Sequence, residues 1–193
     1  MFQHIWEKFL TELSLIRLSY YPFWIQFHCT PFLLRKKDLD KIMEQACPGD
    51  IVVHGFNNYF DRLLIGKWTH VGIVFDKNTI INAVGEGVVL TNFVDFCAAD
   101  RVQLLRPSLD PKEIEVVLTS AKKFLGRPYD FWFSMKGRNA DKKLYCAELV
   151  YDSLEGFHEV LGVHLSKELF FGKSIKPCDF ATFSGIQTIV TLP

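Results

Sequence analysis

Cys146 stands where a polar stretch, Lys136 to Lys143, gives way to a helical amphipathic pattern, in the string Tyr145-Cys146-Ala147-Glu148-Leu149-Val150. His70 lies far upstream in an apolar, β-branched run, Thr69-His70-Val71-Gly72-Ile73-Val74-Phe75. A cysteine at a helix start and a histidine inside a strand are the two parts that thiol catalysis needs. The thiolate is the nucleophile, and the unpaired amides at a helix N-terminus are expected to lower its pKa. An imidazole held by strand packing can take the thiol proton and later return it to a leaving group. A strand histidine taken alone is more often a packing or surface residue. Gly72, two places on, adds room for a ligand or a second backbone to come close.

A base also needs an orienting partner. Asn82 follows twelve positions later in Ile81-Asn82-Ala83-Val84, and counting from the intervening turn puts it within side-chain reach of His70 across a hairpin. Glu86 is the competing orienter, although its setting, Gly85-Glu86-Gly87, is a turn that is normally exposed. His54 is a second candidate base, or a residue that lines the cleft. Tyr129 could donate to a developing oxyanion alongside the Cys146 backbone N–H. Tyr145, next to the nucleophile, joins Tyr129 and His54 as an oxyanion or substrate-binding candidate. A packed aromatic side chain is the competing reading of Tyr129, an exposed carboxylate that of Asp130, and a solvent-facing amide that of Asn82.

The elements that must position these residues are legible from periodicity. Phe2, Ile5, Trp6, Phe9, Leu10, Leu13 and Ile16 recur at helical spacing, which predicts an amphipathic helix over 2–18. A second helix is expected from Lys37 to Gln45. Together these form an N-terminal helical extension, residues 1–45, whose stripe suits packing on the core, pairing with a second subunit, or contact with a membrane surface. Pro48-Gly49-Asp50 is turn chemistry, followed by a strand at Ile51–His54. Further strands are expected at His70–Phe75, Thr79–Val84, Val88–Leu90 and Arg101–Arg106, arranged as an antiparallel meander. Pro111 opens a helix that Gly126 stops. The nucleophile helix, Cys146 to Leu154, is expected to bury Ala147, Val150 and Leu154 and to turn Glu148 and Asp152 outward. Gln187 to Leu192 reads as a last strand. Helix, strands, then helices make one α+β domain over residues 46–193.

Composition narrows the function classes. Lysine plus arginine equals aspartate plus glutamate at 22 each, and the densest basic cluster is Arg35-Lys36-Lys37, so nucleic-acid binding is not expected. The five cysteines, Cys29, Cys47, Cys97, Cys146 and Cys178, are scattered without a CxxC pair, which argues against a disulfide framework and a zinc site. Cys29, Cys47, Cys97 and Cys178 are expected to be small buried hydrophobes. There is no HExxH and no GxxxxGK[ST], so neither a metal nor a phosphate-binding cofactor is expected. Glu7, Lys8, Glu12 and Arg17 interrupt the N-terminal apolar residues, and there is no run of 18 apolar residues. The expectation is therefore a cytoplasmic protein without an export signal or membrane span.

Five strings in order carry a resemblance: Pro48-Gly49-Asp50-Ile51-Val52, Thr69-His70-Val71-Gly72-Ile73-Val74, Asn82-Ala83-Val84-Gly85, Gly126-Arg127-Pro128-Tyr129-Asp130-Phe131 and Leu144-Tyr145-Cys146-Ala147-Glu148-Leu149-Val150. Over roughly residues 48–155 the chain resembles the permuted papain-like amidases. These are the YiiX/YaeF-like branch of the NlpC-type cysteine peptidase superfamily, distantly related to lecithin:retinol acyltransferase. The resemblance implies a circularly permuted papain-like fold, with histidine before cysteine in the chain. It implies Cys146 as nucleophile, His70 as base and Asn82 as the third polar residue. Relatives commonly carry glutamate at that last position, so Asn82 keeps an acceptor but removes a charge. It further implies a hydrolase acting on amide bonds, such as those of cell-wall peptides, through a thioester and without a cofactor. A thiol acyltransferase or lipase-like enzyme on lipid acyl groups is one alternative, and a non-catalytic binding module is another. Many relatives carry an export signal, and its expected lack here weighs against a periplasmic cell-wall role.

Overall fold

A computed structural model of the 193-residue chain describes residues 17–21, 24–28, 34–56, 67–133, 135, 143–168 and 172–193. The chain divides into two compact units, 1–33 and 34–193. In the first, β1 (Arg17–Tyr21) and β2 (Trp24–His28) pair antiparallel with Arg17 opposite His28. Residues 2–16 of the expected N-terminal helix lie outside the described residues, and Arg17 and Leu18 belong to β1 rather than to a helix.

The second unit opens with α1 (Lys36–Gln45), so the expected second helix sits in the same unit as the sheet. Asp38 caps it by accepting from the Arg35 amide at 2.9 Å, and Ile42 is fully buried. The strands that follow are β3 (Ile51–Gly55), β4 (His70–Val74), β5 (Thr79–Val84), β6 (Gly87–Asn92) and β7 (Arg101–Pro107). A one-turn helix, α2 (Phe93–Phe96), separates β6 from β7. Then come α3 (Pro111–Lys122), the nucleophile-bearing α4 (Cys146–Ser153), α5 (His158–Leu161), the short strands β8 (Ser166–Glu168) and β9 (Gly172–Ser174), a 3-10 turn at Pro177–Thr182, and β10 (Ile186–Leu192).

Among the described residues the larger sheet runs β10-β7-β3-β4-β5-β6, with every pair antiparallel. The meander expectation holds from β3 to β6 and fails at β7. That strand does not extend the sheet beyond β6 but crosses back to pair with β3, Leu105 facing Ile51. Local alternation says which residues form a strand; which neighbour it takes depends on side chains distant in the chain. Asp50 marks the join. It is 2% exposed and holds the Arg106 side chain through two hydrogen bonds of 2.8 and 2.7 Å, which ties the start of β3 to the end of β7.

The sheet has an apolar core on each face. Val71, Ile73, Ile81 and Ala83 pack with Cys146, Leu149 and Val150 of α4. Val52, Val74 and Ile80 pack with Ile42, Phe93 and Phe96 on the other side. α4 is buried on more of its circumference than its amphipathic pattern suggests: Glu148 is 0% exposed instead of outward, and Asp152 is half-buried. Cys97 is buried as expected, whereas Cys47 is exposed and Cys178 half-buried, and Cys29 lies outside the described residues. Among the described residues no helix is long and apolar enough to cross a membrane.

Candidate active site

The third polar residue is positioned by sheet geometry. Asn82 on β5 stands directly opposite Gly72 on β4, two residues from His70 on the same face. Because Gly72 has no side chain, the Asn82 carboxamide reaches across it, and Oδ1 accepts from Nε2 of His70 at 3.1 Å. A Cβ at position 72 would lie 2.5 Å from Cγ2 of Ile80, 2.9 Å from the Ile81 carbonyl oxygen and 3.1 Å from Cβ of Asn82. The glycine is therefore a requirement of the His–Asn pair. Asn82 is 1% exposed, and its Nδ2 donates to Oγ1 of Thr91 at 2.6 Å. Glu86 is exposed in its turn.

On the other flank His54 pairs with His70 in register, their ring centroids 5.1 Å apart. Nδ1 of His54 donates to the Phe96 carbonyl at 2.6 Å, and the Phe96 ring lies 4.8 Å from the His54 ring and 5.3 Å from that of His70. The His70 imidazole is thus bracketed by β3, β5 and α2. Burial, and next the neighbouring His70, push the His54 pKa down to about 3, against the Phe96 hydrogen bond, so His54 is neutral at physiological pH. Its Nδ1 proton goes to the Phe96 carbonyl, and its ring stands beside that of His70. Burial also lowers the His70 pKa, while the Asn82 hydrogen bond opposes that shift.

Cys146 is the first residue of α4 and is 5% exposed. The backbone amides of Val71, Ala147 and Cys146 itself lie near its sulfur and favour the thiolate. Burial nevertheless outweighs them and pushes the thiol up to about 11. This corrects the expectation of a thiolate stabilised by the helix N-terminus: helix dipoles act on a charge, and taking the charge out of water costs more here. The sulfur meets β4 at Val71, whose side chain faces α4, while His70 as the preceding residue turns its ring toward Asn82 and Phe96. The structure therefore joins His70 to Asn82 directly and brings Cys146 to the peptide beside His70. With Nε2 engaged by Asn82, Nδ1 is the second ring nitrogen.

The segment before α4 is laced to the sheet. Val88 donates to the Arg127 carbonyl at 2.8 Å, and Gly126 donates to that of Val88 at 2.9 Å. This approach is close enough that only glycine, at φ +118°, fits at position 87. Tyr129 bridges to Leu144, and Asp130 donates its amide to the Leu144 carbonyl at 3.2 Å. Tyr129 is thereby held near Cys146, and burial, with the nearby thiol next, keeps its phenol protonated well above the usual range. Tyr145 is differently employed: its hydroxyl donates to the Ile175 carbonyl at 3.2 Å and accepts from the Ile175 amide at 3.3 Å. That corrects its candidacy as an oxyanion donor, because both hydroxyl functions go to anchoring the helix start. Phe131 lies tilted to the Tyr129 ring at 5.0 Å and Phe133 edge-on to it at 6.3 Å, and Asp130 is 6% exposed. Thr91 and Phe96 are site residues that the sequence reading missed. Thr91 sits just past the expected end of its strand and carries an ordinary strand side chain, so nothing local marks it.

A sequence model of the family described as permuted papain-like amidase enzyme, YaeF/YiiX, C92 family, matches residues 45–189. The chain belongs to that family of permuted papain-like amidases. It is accordingly an enzyme of the amidase and cysteine-peptidase type, with an α+β fold in which the histidine strand precedes the cysteine helix. A search of curated proteins found no match.

Proposed function

We propose that Cys146 is the nucleophile of an amide hydrolase, with His70 as its general base and Asn82 as the orienter of the imidazole. The observation that carries the reading is the 3.1 Å hydrogen bond from Nε2 of His70 to Oδ1 of Asn82, which leaves Nδ1 without a proton and able to accept one. Substrate binding draws ring and thiol together, as is common for catalytic contacts that are long in a free enzyme. Sγ then attacks the carbonyl carbon as its proton passes to Nδ1. The carbonyl oxygen gains charge facing the Cys146 N–H and the Tyr129 hydroxyl. His70 returns the proton to the leaving amine, a thioester remains, and a water deprotonated by His70 releases the acid.

The substrates proposed first are peptide amides, of which cell-wall stem peptides are one source. A second reading, lipid acyl groups, draws on the aromatic run after Tyr129, where Trp132 is 78% exposed. A panel of fluorogenic peptidyl amides and long-chain acyl esters, each run with wild type and Cys146→Ala, tests both. Cys146-dependent turnover of peptidyl amides is expected. Turnover confined to the long-chain esters would favour the lipid reading, and turnover that survives in Cys146→Ala would overturn the proposed mechanism.

A further inference from the structure

A buried carboxamide has two ends of nearly the same shape and opposite hydrogen-bonding character. Only one orientation of Asn82 suits a base at position 70. With Oδ1 toward His70, Nε2 carries the proton and Nδ1 is empty, ready to accept from the thiol. With the amide turned over, its NH2 faces Nε2, the neutral ring must carry its proton on Nδ1, and that nitrogen can accept nothing. Once His70 is protonated the reversed amide is worse still, because two donors meet. The rate of proton transfer therefore depends on what holds the other end of the amide.

That group is Thr91. Register places it opposite Ile80 and one step diagonal from Asn82 on the same face of the sheet. Its Oγ1 lies 2.6 Å from Nδ2 of an asparagine that is 1% exposed. We propose that Thr91 is a positioning residue for the reaction: by accepting from Nδ2 it keeps the Asn82 oxygen on His70 and so sets the tautomer of the base. A threonine hydroxyl can also donate to a reversed amide in the resting state. It can support the imidazolium only as an acceptor from Nδ2, so its preference falls on the state that catalysis passes through. The proposal rests on His70 being the base.

Among the described residues, few titratable groups bear on the imidazole. His54 faces it from β3 and Cys146 lies beyond it on α4, while the groups that meet it from β5 and α2, Asn82 and Phe96, are uncharged; Asp95 of α2 is exposed. A change in tautomer on altering Thr91 therefore reports on the Thr91–Asn82–His70 line.

The test uses the full chain with Thr91→Val, which removes the acceptor at similar volume, and Thr91→Ser, which keeps it; Thr91→Ala replaces the valine variant should that one not fold. Nitrogen-15 shifts of the His70 ring report the tautomer directly. The pH dependence of Cys146 alkylation by iodoacetamide, followed by peptide mass, reports its consequence. Wild type and Thr91→Ser are expected to hold the proton on Nε2. Thr91→Val is expected to show a tautomer mixture and a roughly five- to tenfold slower alkylation near pH 7, as the loss of one hydrogen bond implies, with the rates converging at alkaline pH. A Thr91→Val protein with the Nε2–H tautomer intact overturns the proposal whatever its alkylation rate. His70→Gln separates the two layers: if it alkylates like wild type, the assignment of the base fails, while the tautomer measurement on Thr91→Val still decides the role of Thr91.

Discussion

At the scale of the residue, burial favours a neutral thiol at Cys146 and a neutral imidazole at His70. A thiol at about 11 is ionised to roughly one part in ten thousand at pH 7, so Cys146 should be a slow nucleophile toward small reagents, its reactivity near pH 7 depending on His70 to take the proton. Iodoacetamide alkylation of Cys146 is expected to keep rising beyond pH 9, where a papain-like ion pair would already have levelled off. A plateau below pH 7 would show a preformed thiolate. His54 gives a second residue-scale prediction. Its folded pKa of about 3 lies below the ordinary 6.5, so the unfolded chain binds a proton that the folded chain refuses. The stability linked to His54 is complete above pH 6.5 and is lost as pH falls from there toward 3. Urea midpoints measured between pH 7 and 4 should drop, and the drop should be smaller in His54→Gln. Equal slopes in the two proteins would remove His54 from the account.

At the scale of the element, β4 and β5 bring His70 and Asn82 together because Gly72 leaves the space between them empty. Gly72→Ala should force Ile80 and Asn82 apart, costing on the order of 1–3 kcal/mol of stability as an overpacked core does, and separating Asn82 from His70. Thermal unfolding together with the alkylation rate would register both effects; a variant with unchanged stability and rate would mean that the strand yields without disturbing the pair. Elements also divide what was legible in the sequence from what was not. The strands from Ile51 to Val84 could be read because alternation and turn residues are local, and the His70–Asn82 pairing followed from counting across one short turn. The burial of Glu148 could not be read, since helical periodicity reports one apolar face and says nothing of what the fold places against the other. The return of β7 to β3 was hidden for a similar reason: the Arg106–Asp50 contact that ties it joins residues 56 positions apart.

At the scale of the whole molecule, a permuted papain-like fold explains why a strand near the start of the domain and a helix near its end must meet. The sheet holds His70, Asn82 and Thr91 on three neighbouring positions, and α4 delivers Cys146 to the same strand from the opposite core. This division makes the dependence of Cys146 on His70 the central claim. It is tested most directly by covalent capture of Cys146 with a peptidyl acyloxymethyl ketone, followed by intact-protein mass in wild type and His70→Gln at matched thermal stability. One label on Cys146 is expected in wild type, with capture slowed about a hundredfold or more in His70→Gln, the range general-base removal produces. Capture at the wild-type rate without His70, or a label on exposed Cys47 in place of Cys146, would contradict it.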